Sequence, residues 1–242
     1  MEFALQIIGY AVGLPLEILI ISALLRGPYR RFLFVFGYII ALFLATLVQI
    51  PSYIFFYTGG AQVRSRAWVY WFTEAFILPL LLAVVLSLIW QAAEFARTRR
   101  LIRLSVFPAA GLLVACSFLV HYSSGAAKVG VWMTSLARDI NFAAAILDLV
   151  LWMMLAAKRE KDRTILLLSG GLGIQFTAEA VGESIRAMAV SIFGGPTPGA
   201  YAMVFCGNLI IMLANLGCLW IWRQALRAPH RSAIVIEAVA KM

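Results

Sequence analysis

Arg138, Asn141 and Asp148 form one polar stripe, and Gln175, Glu179, Glu183 and Arg186 form a second, each inside a long apolar run. Ionisable groups held in hydrocarbon are costly, so they pair with one another, bind a ligand or carry ions. At about 100° per residue the members of each stripe share one helix face. The runs are joined by the short charged link Lys158 to Arg163, which makes them antiparallel neighbours. Counting outward from that link levels Arg138 with Glu183, Asn141 with Glu179, and Asp148 with Gly173 and Gln175. The expected contact is an Arg138–Glu183 ion pair assisted by Asp139 and Arg186. Two uses are open for it, a packing device near lipid or a ligand site carrying both charge signs.

Other polar residues reach the same level. Glu74 lies eight residues beyond Arg66, roughly 12 Å in from that end at helical rise, with Gln49 at a similar depth on the preceding run. Asn208 levels with Glu183 across the next hairpin, and His121 closes its own run. The expected site is an outward-facing polar chamber between the third and seventh helices. Its expected lining is Glu74, His121, Arg138, Asp139, Asn141, Glu179, Glu183, Arg186 and Asn208. That mixture of signs suits a zwitterionic or amphipathic small molecule. Trp68, Tyr70, Trp71, Tyr122, Trp132 and Tyr201 crowd the same end, where an interfacial aromatic belt explains them first. Deeper in, Glu17 and Asp148 have no basic residue at their own depth. They are either a proton or cation relay, or carboxyls bonded to Asn215, Gln175 or a backbone carbonyl.

These residues need long helices to hold them. With 63% hydrophobic and 13% charged residues among 242, the chain carries more apolar surface than a water-soluble domain could cover. A spanning helix takes roughly 20 mainly apolar residues. Seven runs qualify: 4–25, 32–57, 67–91, 104–120, 131–157, 164–192 and 201–222. None alternates in polarity as strands of a membrane barrel do. The predicted fold is therefore an all-α integral membrane protein, a seven-transmembrane-helix bundle comprising one domain over residues 1–222. A cytoplasmic tail follows over 223–242, in which Pro229 should stop the last helix.

Basic residues set the orientation, since they are retained on the cytoplasmic side of short loops. Arg26, Arg30, Arg31, Arg97, Arg99, Arg100, Arg103, Lys158, Arg159, Lys161, Arg163, Arg223, Arg227, Arg231 and Lys241 fall on one side; Arg64, Arg66 and Lys128 fall on the other. The expected N-terminus is outside and the C-terminus cytoplasmic, in a bacterial-type plasma (inner) membrane. The net charge of +9 then reflects topology, with anionic headgroups and not nucleic acid as its partner. The first run begins Met1-Glu2 without a basic n-region, so it is expected to stay in the mature protein. Cys116, Cys206 and Cys218 sit inside runs at no metal or disulfide spacing, as packing residues.

Several chemistries fail on residue type. A retinal Schiff base needs a lysine on the last span, and 201–222 has none. Haem would need paired intramembrane histidines, whereas the chain has His121 and His230 alone. Catalytic zinc usually takes three protein ligands, and His121 with Glu74, Asp139 and Glu179 is a poor set. No cofactor is expected. Small residues, including Gly170, Gly171, Gly173, Ala178 and Gly182, mark close helix packing. Pro15, Pro51 and Pro79 mark positions where helices can kink. The leading expectation is a sensor, receptor-like or accessory membrane subunit working with a protein partner or as a homo-oligomer. A proton- or cation-coupled transporter of a small solute comes second. An intramembrane lipid-modifying enzyme, with Glu179 or Glu183 as acid or base, comes third, lacking a nucleophile.

Overall fold

The computed structural model describes residues 2–57, 63–93, 99–121, 129–158, 162–195 and 197–227. Seven α-helices run through them: α1 (Glu2–Leu25), α2 (Leu33–Tyr57), α3 (Val63–Ala93), α4 (Arg99–His121), α5 (Val129–Lys158), α6 (Arg163–Phe193) and α7 (Pro198–Arg227), with a 3-10 turn at Pro28–Arg30. No strand occurs among the described residues. Helices satisfy all their backbone groups internally, which is what a chain in hydrocarbon requires. Each helix overlies one apolar run and mostly extends past it, because the flanking arginines are good helix formers. Thus α7 continues through Arg223 to Arg227, five residues beyond the expected end at Trp222. Lys128, Arg97, Arg159, Lys161, Tyr122 and the tail 228–242, with Pro229 and His230, lie outside the described residues.

Six helices, all except α4, are long and apolar enough to cross a membrane; in α4 the apolar part is the shorter Pro108–His121. Arg99, Arg100 and Arg103 occupy its first turns. The six long helices close into a ring in the order α1, α2, α3, α5, α6, α7, with α7 returning to α1. α4 stands outside that ring, packed mainly on α5. This is the build of a helical membrane bundle.

Its polarity is inverted relative to a soluble protein. The rim exposes Ile8, Phe72, Leu119, Leu149 and Leu213, each more than half accessible, whereas Glu17, Asn141, Asp148, Gln175 and Glu183 are buried. Apolar surface on that scale needs an apolar solvent to cover it. The core between helices is built from Ile20, Leu24, Val35, Ile39, Val84, Leu88, Leu151, Leu155, Leu168 and Trp222.

Close approaches lock the seams. A Cβ on Gly182 would lie 2.9 Å from the carbonyl oxygen of Gly207, and one on Gly207 would lie 2.8 Å from that of Gly182. The small residue at 182 therefore brings α6 and α7 into backbone contact. Gly171 lies under the indole of Trp222, whose Nε1 donates to the Leu168 carbonyl at 3.0 Å. At the other end of the bundle from the N-terminus, Asp162 caps α6, accepting from the Thr164 amide at 2.9 Å. It also accepts from Arg31 at 2.6 Å, tying the start of α2 to the start of α6.

Candidate functional site

The ring encloses a cavity of about 560 Å³. Its walls come from α1 (Leu5, Gln6, Tyr10, Glu17), α2 (Tyr38, Thr46, Gln49, Tyr53), α3 (Tyr70, Trp71, Glu74, Leu81), Ala137 and Asn141 of α5, Gln175 to Arg186 of α6, and Val204 to Leu219 of α7. The cavity occupies the half of the bundle nearest the N-terminus and extends past the middle at Glu17, Tyr38 and Leu219.

The expected stripe on α6 is intact, with Gln175, Glu179, Glu183 and Arg186 all on this cavity. Arg186 Nη1 donates to Glu183 Oε1 at 2.7 Å, one turn back along the same helix. The guanidinium also lies near the Tyr70 hydroxyl. Gln175 Nε2 donates to Glu179 Oε1 at 3.1 Å and to the Tyr38 hydroxyl at 3.0 Å. Tyr38 in turn stands edge-on to Trp222, ring centres 5.8 Å apart, which fixes the floor of the cavity. Across from α6, the Tyr10 hydroxyl donates to Gln49 Oε1 at 3.3 Å, and Gln49 Nε2 donates to Thr73 Oγ1 at 2.8 Å. These bonds stitch α1, α2 and α3 together at the cavity wall.

Six of the nine expected lining residues are on the cavity: Glu74, Asn141, Glu179, Glu183, Arg186 and Asn208. His121, Arg138 and Asp139 are not. They gather at the seam of α4 and α5, where Asp139 Oδ2 accepts from Ser117 Oγ at 2.9 Å and lies 2.9 Å from His121 Nε2. Arg138 Nη2 reaches Asp139 Oδ1 at 3.4 Å. The expected Arg138–Glu183 pair is thus replaced by two local ones, Arg138–Asp139 and Arg186–Glu183. Depth counting was sound but rotation was not: with Asn141 facing the cavity, Arg138 points about 60° away, toward α4. Ser117, Asp139 and His121 are the residue types of a hydrolase triad without its order. Hydroxyl and imidazole both meet the carboxylate, whereas nucleophilic chemistry needs the imidazole on the hydroxyl.

The two deep carboxyls also part company. Glu17 lines the cavity and accepts from Thr46 Oγ1 at 3.4 Å. Asp148 is buried on the α5–α6 seam, accepting from Ser169 Oγ at 2.7 Å, with its Oδ2 2.7 Å from where a Cβ on Gly173 would be. Its levelling with Gly173 agrees with the count from the link.

The cavity therefore uses α1 and α2 in place of α4, which corrects the placement between helices three and seven. A signal for α1 was present: Gln6, Gly9, Tyr10, Gly13 and Glu17 recur at three and four residues, a small-and-polar stripe in an otherwise apolar helix. Tyr70 and Trp71 line the cavity, and Trp132 packs edge-on to Phe118 at 5.2 Å. Of the expected aromatic belt, Trp68 and Tyr201 face outward, more than half exposed.

Four cavity residues end in acceptor atoms with no hydrogen-bond partner among the described residues: Glu17 Oε2, Asn141 Oδ1, Glu183 Oε2 and Asn215 Oδ1. Buried polar atoms are nearly always satisfied, so four orphaned acceptors along one cavity are informative. No protein family, no curated protein and no solved structure matches this chain.

Proposed function

We propose that this protein is a polytopic membrane sensor, or the ligand-binding accessory subunit of a larger membrane assembly, whose chamber holds a small molecule. One observation carries the reading: a cavity of about 560 Å³ inside a ring of lipid-facing helices is walled by polar side chains whose buried acceptors lack partners among the described residues. Small-molecule sites are concave, largely preformed and about this size, roughly 300–1,000 Å³. A purely structural polar core would leave fewer orphaned atoms, since each costs about 1–3 kcal/mol.

The basic residues support an outside N-terminus and a cytoplasmic C-terminus in a bacterial-type inner membrane. In this orientation the chamber lies mainly in the outer leaflet and reaches mid-membrane at Glu17, and α4 crosses as a seventh span against α5. Arg26, Arg30, Arg31, Arg223 and Arg227 then meet anionic headgroups or a partner protein at the inner face. A sensor of this size needs such a partner to pass on its signal. The carrier reading, a proton- or cation-coupled transporter, draws support from Glu17, a carboxyl deep on the chamber with one free oxygen. A relay would need Asp148 as its next station, and Asp148 lies off the chamber on the α5–α6 seam, bonded to Ser169, which leaves that reading second.

Native mass spectrometry of gently purified protein tests the proposal. The expected spectrum carries a bound small molecule that is lost in Glu183→Gln. A bare polypeptide, with wild type and variant indistinguishable, overturns it.

A further inference from the structure

The chamber's chemistry is one-sided. Among the described residues, Glu17, Glu74, Glu179 and Glu183 line it against one cationic side chain, Arg186. That cation is already engaged by Glu183 at 2.7 Å. The mixed-sign site expected from the sequence needed Arg138 as well, which lies outside on the α4–α5 seam.

Acidity alone specifies no ligand; the orphaned atoms add the specification. Glu17 is 3% exposed and Glu183 6%, and each has one oxygen that accepts nothing among the described residues. The acceptor sense of a carboxylate oxygen is fixed, whereas an amide can be turned round. Asn141, 2% exposed, adds a further unpartnered oxygen on the same cavity. What these atoms need is a donor, and a positively charged one satisfies both the hydrogen bonds and the field. A bare metal ion is the poorer fit. Among the described residues no group of three His, Cys, Asp or Glu side chains could hold one, and the space is far larger than an ion. The rings of Tyr10, Tyr53, Tyr70 and Trp71 also face this space, and aromatic faces attract organic cations.

We infer that the chamber is a receptor site for an organic ammonium ion carrying N–H donors, its head beside Asn141 and Glu183 and its apolar body against the tyrosine and tryptophan rings. This rests on the small-molecule reading given above and names the ligand class.

The test is calorimetric titration of the full chain in lipid nanodiscs, with empty nanodiscs as the blank. The probes are 2-phenylethylammonium and 2-(indol-3-yl)ethylammonium, set against phenylpropionate and indolepropionate, carboxylates of similar shape. The expected result is saturable binding of the ammonium probes and none of the carboxylates. Glu183→Gln should weaken it about tenfold or more, as losing a charge-assisted hydrogen bond does, while Arg138→Gln leaves it unchanged. The wild-type comparison between the two charge classes stands even where a variant fails to fold. Carboxylates binding as well as or better than amines overturn the ammonium assignment and leave the small-molecule chamber standing. Failure of every probe overturns both.

Discussion

Glu183 and Arg186 sit one turn apart on α6, joined at 2.7 Å through Glu183 Oε1, while Glu183 Oε2 has no partner among the described residues. Removing one member of a buried pair strands the other, at roughly 3–5 kcal/mol where both are fully buried. Here Arg186 keeps a quarter of its side-chain surface accessible. Arg186→Gln should therefore destabilise by about 2–3 kcal/mol, and adding Glu183→Gln should recover part of that loss. Thermal unfolding of both singles and the double in one detergent measures the coupling. Independent, additive losses would mean the pair is not the partnership described.

Gly182 and Gly207 meet backbone to backbone, so volume there has nowhere to go. Gly182→Val should cost about 1–3 kcal/mol or more by overpacking, because its Cβ alone would meet Ile211 at 2.5 Å. Gly217, where an added Cβ would meet nothing within 4 Å, is the matched control. Gly217→Ala should leave the melting midpoint within about a degree or raise it, since alanine is the better helix former by roughly 1 kcal/mol. Equal responses at both sites would contradict the α6–α7 seam.

Ser169 supplies the hydrogen bond that Asp148 accepts at 2.7 Å, with both residues buried. Ser169→Ala should destabilise by about 1–3 kcal/mol, the cost of a buried polar group losing its partner. Ligand binding in the chamber should survive at permissive temperature, because neither residue lines it. Loss of binding with unchanged stability would instead link Asp148 to the site.

α4 separates two topologies. Alkaline phosphatase joined within the 122–128 link should be active if α4 crosses, and inactive if α4 lies along the surface. A fluorescent protein at the C-terminus should fluoresce if α4 crosses, because α5, α6 and α7 then carry the chain from the outside link to the cytoplasm. Inactivity at the 122–128 link together with a dark C-terminal fusion would contradict the seven-span topology with its N-terminus outside.

Much of this was legible in the sequence, and particular residues show why the remainder was not. The ends of the helices follow from hydropathy and flanking arginines, and the α6 stripe from a period of 3.6, both local properties of the chain. Asp148 could be levelled with Gly173 because a short link fixes relative depth. Rotation is a different matter. Whether Arg138 faces α6 or α4 depends on where α4 sits, and α4 leaves the ring because α3 packs directly on α5. That is a tertiary choice with no local signature. Arg138 then finds Asp139, which also meets His121, and Glu183 finds Arg186 within its own helix. The contribution of α1 was legible in the spacing of Gln6, Tyr10, Gly13 and Glu17, where ionisable groups drew attention and small polar ones did not.

The most direct measurement is the charge selectivity of the chamber toward a reactive probe. Ser52 lines the cavity, so Ser52→Cys, with Cys116, Cys206 and Cys218 replaced by serine or alanine, reports from inside. The thiol is treated with a trimethylammonium methanethiosulfonate and with a sulfonate methanethiosulfonate of similar size, each rate divided by that for a free thiol in solution. An accessible carboxylate-lined chamber predicts that the cationic reagent wins by about tenfold or more, since a low-dielectric cleft of one sign concentrates counter-ions by roughly 10-fold to 1,000-fold. Equal rates, or a faster anionic reagent, would contradict it, and no reaction with either would mean that the cavity is closed core.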